Sequence, residues 1–142
     1  PVGSLLCTTQ EIADKARRWR KVLGGGMRQA GIIAAAGIYA LEQNVARLAD
    51  DHANAARLAE GLGQIDEILV DHAAVQTNMV FASMAGDIVD SLVEFLAGRD
   101  IKILGGKMLG GPTIRIVTHL DITGEDIDIL VATVKEFFAR GA

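Results

Sequence analysis

The fold of this chain is decided by an alternating stretch near its end, Thr113-Ile114-Arg115-Ile116-Val117-Thr118. Successive side chains of a β-strand point to opposite faces, so Arg115 faces away from its two isoleucine neighbours. We predict a strand with one face in the core and the other carrying Arg115. A half-buried arginine is costly unless paired, and its planar guanidinium fits a carboxylate. A substrate carboxylate and a structural aspartate are the two alternative partners.

Short apolar segments surround this strand and alternate with helical patterns. The sequence predicts further strands at residues 67–70, 75–83 and 101–104. Apolar residues at helical spacing predict a helix at 87–97 and another after Thr123, where Asp126 completes a capping box. Strands covered by helices on one face predict a small C-terminal α+β domain with an antiparallel sheet at residues 63–142.

Residues 1–62 have a different pattern, which predicts helices. Residues 2–7 are a short apolar segment that could be a buried strand, and Thr8 with Glu11 has the spacing of a capping box for a first helix. Three glycines, Gly24 to Gly26, should end that helix near Leu23 because of their backbone entropy. Asn44 is expected to cap a third helix whose outer, solvated face carries Arg47, Asp50, Asp51, Arg57 and Glu60.

The second helix, predicted at residues 27–44, is small, apolar and almost uncharged. Such a helix must be covered on most sides, either by its own domain or by another subunit, and we favour a subunit contact.

The composition limits the classes of function. The chain has 142 residues, of which 50% are hydrophobic and 23% charged, so it is long and apolar enough for one domain. A net charge of -4 argues against binding to nucleic acid or an anionic membrane. The single cysteine, Cys7, indicates a reducing compartment, and we expect the cytoplasm. The sequence has no residues at the spacing typical of a metal site.

Two further sets of residues are candidates for binding or chemistry. The glycine turn before Arg28, with a basic helix end that includes Lys21, would suit a phosphate or carboxylate, although glycine turns between helices are common. His119, next to Asp121, could be a general base, but a histidine at a strand end more often bonds to the backbone or to such an aspartate.

Five motifs taken together resemble one known family in their order and spacing. They are Pro1-Val2-Gly3-Ser4, Arg18-Trp19-Arg20-Lys21, Gly24-Gly25-Gly26-Met27-Arg28-Gln29, Gln76-Thr77-Asn78-Met79 and Ile114-Arg115-Ile116-Val117-Thr118-His119-Leu120-Asp121. Over essentially its whole length, the chain resembles the C-terminal portion of low-specificity L-threonine aldolases. These are pyridoxal phosphate enzymes, and they cleave L-threonine and L-allo-threonine to glycine and acetaldehyde.

The resemblance implies an α/β protein of fold type I. Residues 1–62 would be the C-terminal end of the large pyridoxal phosphate-binding domain, including interface helices, and residues 63–142 the small α+β domain. The resemblance also implies a homotetramer built as a dimer of dimers.

For the site, the resemblance implies that Arg28 and Lys21 contact the cofactor phosphate and that Arg115 binds the substrate carboxylate. The family's Schiff-base lysine is expected just upstream of Pro1, so we expect no catalytic residue in this chain and no activity from it alone. Two alternatives are a non-catalytic oligomerisation module and a related pyridoxal phosphate-dependent β-eliminating lyase.

Overall fold

The computed structural model describes residues 4–85 and 87–141. The chain divides into two compact units, Pro1–Ala46 and Arg47–Ala142. The first unit contains the helices α1 (Gln10–Val22) and α2 (Gly31–Gln43). The second unit contains, in chain order, α3 (Leu48–Leu62), β1 (Leu69–Val70), β2 (Met79–Ser83), α4 (Ile88–Ala97), β3 (Leu104–Gly105), β4 (Thr113–Val117) and α5 (Gly124–Ala139).

The sheet of the second unit has the strand order β1-β2-β4-β3, and every neighbouring pair is antiparallel. β4 lies between β2 and β3, with Phe81 and Leu104 opposite Arg115 on either side. The predicted α+β architecture with an antiparallel sheet is therefore confirmed.

The core lies on one face of this sheet, where α3, α4 and α5 pack. Val80 and Ile114 are fully buried on that face, as the alternation predicted. The helices contribute Leu58, Leu62, Leu92, Leu96, Ile127 and Val134, all of them almost inaccessible to solvent. The opposite face is open: Leu69 is 75% exposed and Phe81 is 52% exposed.

The start of α5 confirms the predicted capping box. The Thr123 hydroxyl accepts a hydrogen bond from the backbone N–H of Asp126, and the Asp126 carboxylate accepts one from the backbone N–H of Thr123. The Asp126 carboxylate also accepts a bond from the Thr123 hydroxyl at 2.6 Å. Hydrogen bonds from the Thr123 side chain, and then from its backbone, lower the pKa of Asp126 below its ordinary value of 3.8.

The two other predicted helix caps are wrong. The N-cap of α1 is Thr9, without a side-chain capping bond, and Glu11 instead pairs with Lys15 one turn later at 2.6 Å. Asn44 ends α2 as its C-cap, and α3 begins only after Arg47. The N-cap of α1 lies one residue after the predicted Thr8, and that of α3 lies three residues after the predicted Asn44.

The strand boundaries also differ from the prediction. β2 begins at Met79, because His72–Ala74 form a short 3-10 turn and the residues up to Asn78 lie outside the ladder. β1 and β3 have only two residues each, shorter than the predicted segments. Within the expected strand at residues 2–7, Ser4 to Cys7 are exposed without strand structure, and Val2 and Gly3 lie outside the described residues.

The first unit differs from the second in burial. Neither α1 nor α2 has a buried residue, although α2 is almost entirely apolar. α1 ends at Val22 and is followed by Gly24 at φ 82°, a left-handed conformation that glycine adopts without strain. The prediction that the glycines end this helix is confirmed.

The compact second unit begins at Arg47, whereas the sequence predicted a domain boundary near residue 62. α3 belongs to the second unit because it packs against α5, β1 and β2 and contributes Leu58 and Leu62 to the core. The assignment of residues 1–62 to a large cofactor-binding domain stays a prediction.

Candidate functional site

A cavity of about 520 Å³ lies at the β3 edge of the sheet. It is enclosed by residues 100–104 on one side, by residues 115–119 on the other, and by the first half of α5. Ile116, Ile127 and Leu130 are among its buried apolar lining residues. The ionisable lining residues are Asp100, Lys102, Arg115, His119, Asp121 and Asp126. The cavity thus combines an apolar wall with charges of both signs.

Arg115 lines this cavity from the middle of β4. Its side chain is half-buried, and its Nε is buried with no hydrogen-bond partner. Among the residues that the structure describes, Arg115 takes part in none of the ion pairs. The structural aspartate that the sequence left open as a partner is therefore not found there. A buried donor without a partner is rare, and an external acceptor is one of its ordinary explanations.

Two charged residues that the sequence did not reveal line the same cavity as Arg115. Asp100 follows the end of α4 at φ 61°, an uncommon conformation for a residue other than glycine. Lys102 lies between Asp100 and β3, and is exposed. The pairing of β3 with β4 brings this segment to the cavity. The antiparallel register of Leu104 with Arg115 is therefore the feature that would have identified Asp100 and Lys102 as lining residues. That register was not predictable from either segment alone.

The loop that follows β4 is fixed at its start by a buried hydroxyl. Thr118 is fully buried, and its Oγ1 donates to the backbone oxygen of Asp51 in α3 at 2.7 Å. The amide of Asn78 donates to the backbone oxygen of Thr118 at 2.8 Å, and the N–H of Thr118 donates to the Asn78 oxygen at 2.9 Å. Asn78 thus bonds through its side chain and its backbone to the residue at which the loop begins.

Asp51 was predicted on the outer face of its helix, and that prediction is wrong. It is only 3% exposed, and both of its carboxylate oxygens accept hydrogen bonds from the Arg47 guanidinium, at 2.5 and 3.1 Å. The hydrogen bond to Asp51 is the main reason why the pKa of Arg47 is raised above its ordinary value. The pair supports the first turn of α3, to which the Thr118 hydroxyl is bonded.

His119 lines the cavity immediately after Thr118. Its Nδ1 accepts a hydrogen bond from the backbone N–H of Asp121 at 3.3 Å and lies 3.7 Å from the Asp121 carboxylate. The prediction that this histidine contacts backbone or the neighbouring aspartate is confirmed. Its ring is 54% exposed, so the other ring nitrogen remains accessible.

The glycine turn of the first unit carries the other two predicted site residues. The side chain of Lys21 runs across Gly26, where a Cβ would lie 2.5 Å from the Lys21 Cδ, so only glycine fits there without a shift. Arg28 is exposed shortly before α2, whose first turn has no acidic residue. Lys21 and Arg28 belong to the first unit and Arg115 to the second.

Two other kinds of site, a membrane span and a metal centre, are not present in the described ranges. No helix there has both the length and the apolar character needed to cross a bilayer. Residues 4–85 and 87–141 also contain no group of three or more His, Cys, Asp or Glu side chains placed to hold a metal ion.

Comparison with solved structures relates the fold to known enzymes. An aminotransferase, TlmJ from Streptoalloteichus hindustanus, superposes with a TM-score of 0.56 over 67% of this chain and 32% of its own, at 14% identity. At that identity the match concerns the fold alone. It agrees with the fold type I class that the resemblance implied.

Comparison with curated sequences gives closer similarities. The chain is 44% identical to the low specificity L-threonine aldolase of Escherichia coli K12, over 99% of this chain and 40% of that protein. It is 39% identical to a probable low-specificity L-threonine aldolase 2 of Arabidopsis thaliana, over 97% of this chain and 39% of that protein. It therefore spans about two fifths of the length of these relatives. The family model of the beta-eliminating lyases matches residues 1–85, and the chain belongs to that family.

Proposed function

We propose that this chain forms part of a pyridoxal phosphate-dependent L-threonine aldolase, to which it contributes anion-binding residues. The enzyme would cleave L-threonine or L-allo-threonine to glycine and acetaldehyde. The observation that carries the proposal is the buried, unpartnered Nε of Arg115 at the cavity. The 44% identity to the Escherichia coli threonine aldolase supports the choice of reaction.

Arg115 would bind and orient the α-carboxylate of the amino-acid substrate. The guanidinium is half-buried on a strand that is hydrogen-bonded on both sides, so its position is restricted. A charged donor in such a place binds a carboxylate more strongly than an exposed arginine does, because less water competes. Holding the carboxylate fixes which bond at Cα is aligned for cleavage, a contribution of orientation.

Lys21 and Arg28 would hold the cofactor phosphate, in a neighbouring subunit according to the family pattern. Both side chains are exposed, and the described residues offer neither of them an ion pair. Two free cations near a helix start that lacks acidic residues fit a phosphate dianion. When bound, pyridoxal phosphate supplies the electron sink for bond cleavage at Cα.

The Schiff-base lysine would come from outside this chain, which would therefore be inactive alone. The five lysines present, Lys15, Lys21, Lys102, Lys107 and Lys135, are all exposed. A Schiff-base lysine is usually activated by burial or by a neighbouring cation in a closed pocket, and none of these sites offers burial. Borohydride reduction of the chain with pyridoxal phosphate should leave no stoichiometric adduct on one lysine. A stoichiometric reduced adduct on one lysine, together with cleavage of threonine by the unreduced chain, would contradict this proposal.

The role of Arg115 can be tested by binding of L-threonine to the whole 142-residue chain. Arg115→Lys keeps the charge but loses the planar fork and should weaken binding about tenfold, the effect of one charged hydrogen bond. Arg99→Lys is a matched control, because Arg99 pairs with Glu136 and lies over the Phe95 ring outside the cavity. Equal affinities of wild type and Arg115→Lys would contradict the assignment.

The apolar helix α2 supports a second part of the proposal, a homotetramer built from dimers. Ile38 is 56% exposed and Leu41 is 68% exposed on a helix that buries none of its residues within the chain. Sedimentation of Ile38→Glu should show a smaller species than wild type, whereas Ile129→Glu on α5, at a site 50% exposed, should not.

Self-association without any binding of threonine would favour the alternative of an oligomerisation module. A β-eliminating lyase would release ammonia from threonine.

We also propose a cytoplasmic location. Its support is the single cysteine, Cys7, which is free and exposed as expected in a reducing compartment.

A further inference from the structure

The residues from His119 to Ile122 form a turn that is fixed at both of its ends. The N–H of Ile122 donates to the His119 oxygen at 2.8 Å, which closes a four-residue β-turn. Before the turn, the buried Thr118 hydroxyl is bonded to α3, and at its end the Asn54 amide of α3 donates to the Ile122 oxygen at 3.0 Å. Leu120, in the middle, is 59% exposed. A change inside the turn is therefore confined between two anchors.

His119 occupies the first position of the turn and caps it with its ring. The Nδ1 atom accepts a hydrogen bond from the Asp121 N–H at 3.3 Å. An Asp or Asn side chain at the first position of a turn makes the same bond, to the backbone two residues further on. Among the described residues, no other acceptor bonds to this N–H. In the neutral ring the proton therefore lies on Nε2.

A histidine differs from Asp or Asn as a cap because protonation removes its acceptor. Both nitrogens of a protonated ring are donors, so Nδ1 can then no longer accept from the Asp121 N–H. The Asp121 carboxylate lies 3.7 Å from the same Nδ1 and is an acceptor for the new Nδ1–H. This carboxylate is 86% exposed, so water screens the resulting ion pair, which adds little stability. Protonation thus exchanges a bond inside the turn for a weak contact beside it.

The charged neighbours of the turn ordinarily titrate in other ranges of pH than a histidine does. Other elements place four ionisable residues along the same cavity, namely Asp100, Lys102, Arg115 and Asp126. At the start of α3, the pKa of Arg47 is raised mainly by its bond to Asp51 and to a smaller extent by the charge of Asp121. Carboxyl groups ordinarily titrate near about pH 4 and Lys and Arg above about pH 10, so a transition between about pH 5 and pH 8 indicates a histidine.

We infer that His119 is a pH-operated cap of this turn: the neutral ring holds the Asp121 N–H, and the protonated ring releases it and contacts the Asp121 carboxylate instead. The turn is held above about pH 7 and loosened below about pH 6. His119, Asp121 and Ile122 line the cavity that also contains Arg115, so the switch alters one wall of the candidate site. The switch involves only bonds of the turn and needs no ligand.

The experiment follows the His119 ring and the Asp121 amide together, by NMR of the ¹⁵N-labelled chain between about pH 5 and pH 8. The Asp121 amide signal should shift with the same midpoint as the ring. Its protection from exchange with water, corrected for the pH dependence of free amides, should be about fivefold lower at acid pH, the effect of one ordinary hydrogen bond. The Ala74 amide, two residues after the exposed His72, bonds to the Asp71 oxygen and should not follow the titration of His72.

Three variants separate the ring's acceptor from its shape and from other histidines. His119→Asn supplies an acceptor that does not titrate, so the Asp121 amide should stay protected over the whole range of pH. His119→Phe keeps a ring but has no acceptor, so the protection should be low throughout. His52→Asn changes an exposed histidine on α3 outside the cavity and should behave as wild type.

Three results would overturn the switch. The first is an Asp121 amide signal that does not change while the His119 ring titrates. The second is a pH dependence that persists in His119→Asn, because another group would then cause it. The third is equal protection of this amide in wild type and His119→Phe at about pH 8, where an ordinary histidine is neutral. None of these measurements involves a ligand, so the proposed carboxylate site is tested separately.

Discussion

The two units of this chain differ in how far their apolar side chains are buried. In the unit Arg47–Ala142, alternation and helical spacing direct apolar residues into one core, and Leu58, Leu92 and Ile114 are completely buried. In the unit Pro1–Ala46, an equally apolar helix, α2, buries nothing. The comparison teaches that apolar content alone does not make a core, because a core also needs elements that cover each other.

The largest expected effect concerns the core of the second unit. Leu58→Ala should lower the free energy of unfolding by about 3 kcal/mol, because it removes buried contacts and leaves a cavity between α3 and the sheet. Urea denaturation measures the change in the free energy of unfolding, and hydrogen exchange of the β4 amides reports it for the second unit. The control Leu41→Ala, in a side chain 68% exposed on α2, should change the stability of the second unit by less than about 0.5 kcal/mol. Similar losses in both variants would erase the distinction between the units.

A smaller effect is expected at the buried polar link between α3 and β4. Thr118→Val keeps the shape of the side chain but removes the bond to the Asp51 oxygen, so the second unit should lose about 2 kcal/mol. Thr133→Val is the matched control, because the Thr133 hydroxyl bonds to the Ile129 oxygen within its own exposed helix turn. Thermal unfolding of both variants checks the difference. If Thr118→Val leaves the stability unchanged, the apolar core alone holds the loop in place.

The smallest effect is a dependence of stability on pH at the start of α5. Because its pKa is lowered in the folded protein, Asp126 stabilises the fold above its ordinary value of 3.8, and this stabilisation is lost as pH falls through the folded value. Asp126→Asn should therefore melt below wild type at neutral pH, and the difference should shrink as pH falls below 3.8, the ordinary pKa of this carboxyl. Asp87→Asn, at a helix start without a side-chain capping bond, should show no such trend. A constant difference for Asp126→Asn would contradict the capping role.

Local patterns predicted much of the second unit from the sequence. The alternation around Arg115 gave both the strand and its two faces, and Thr123 with Asp126 gave the start of α5, because each signal lies within a few residues. Thr8 and Asn44 have the same kinds of signal, but their helices start later. A capping side chain shows that a helix could begin there and does not exclude a later start.

Contacts between distant segments could not be predicted in this way. Asp51 looked like one more charge on a solvated helix face, whereas it is 3% exposed and its backbone oxygen accepts a hydrogen bond from Thr118, which is 67 residues away. Asp100 and Lys102 precede β3, a strand of two residues with no distinctive pattern, which pairs with β4 at the cavity. The position of Arg115 was readable from the sequence, whereas its surroundings required the fold.

The most direct test of the central claim is the response of the Arg115 Nε–H signal to a carboxylate. Glycine and ethanolamine, in which a hydroxymethyl group replaces the carboxylate, are added separately to the 142-residue chain and followed by NMR. If Arg115 binds the carboxylate, glycine should shift the Arg115 signal in a saturable way. Ethanolamine should not shift it, and glycine should not shift the signals of the exposed arginines. An unshifted Arg115 signal, or the same shift with both compounds, would contradict the claim that Arg115 binds the substrate carboxylate.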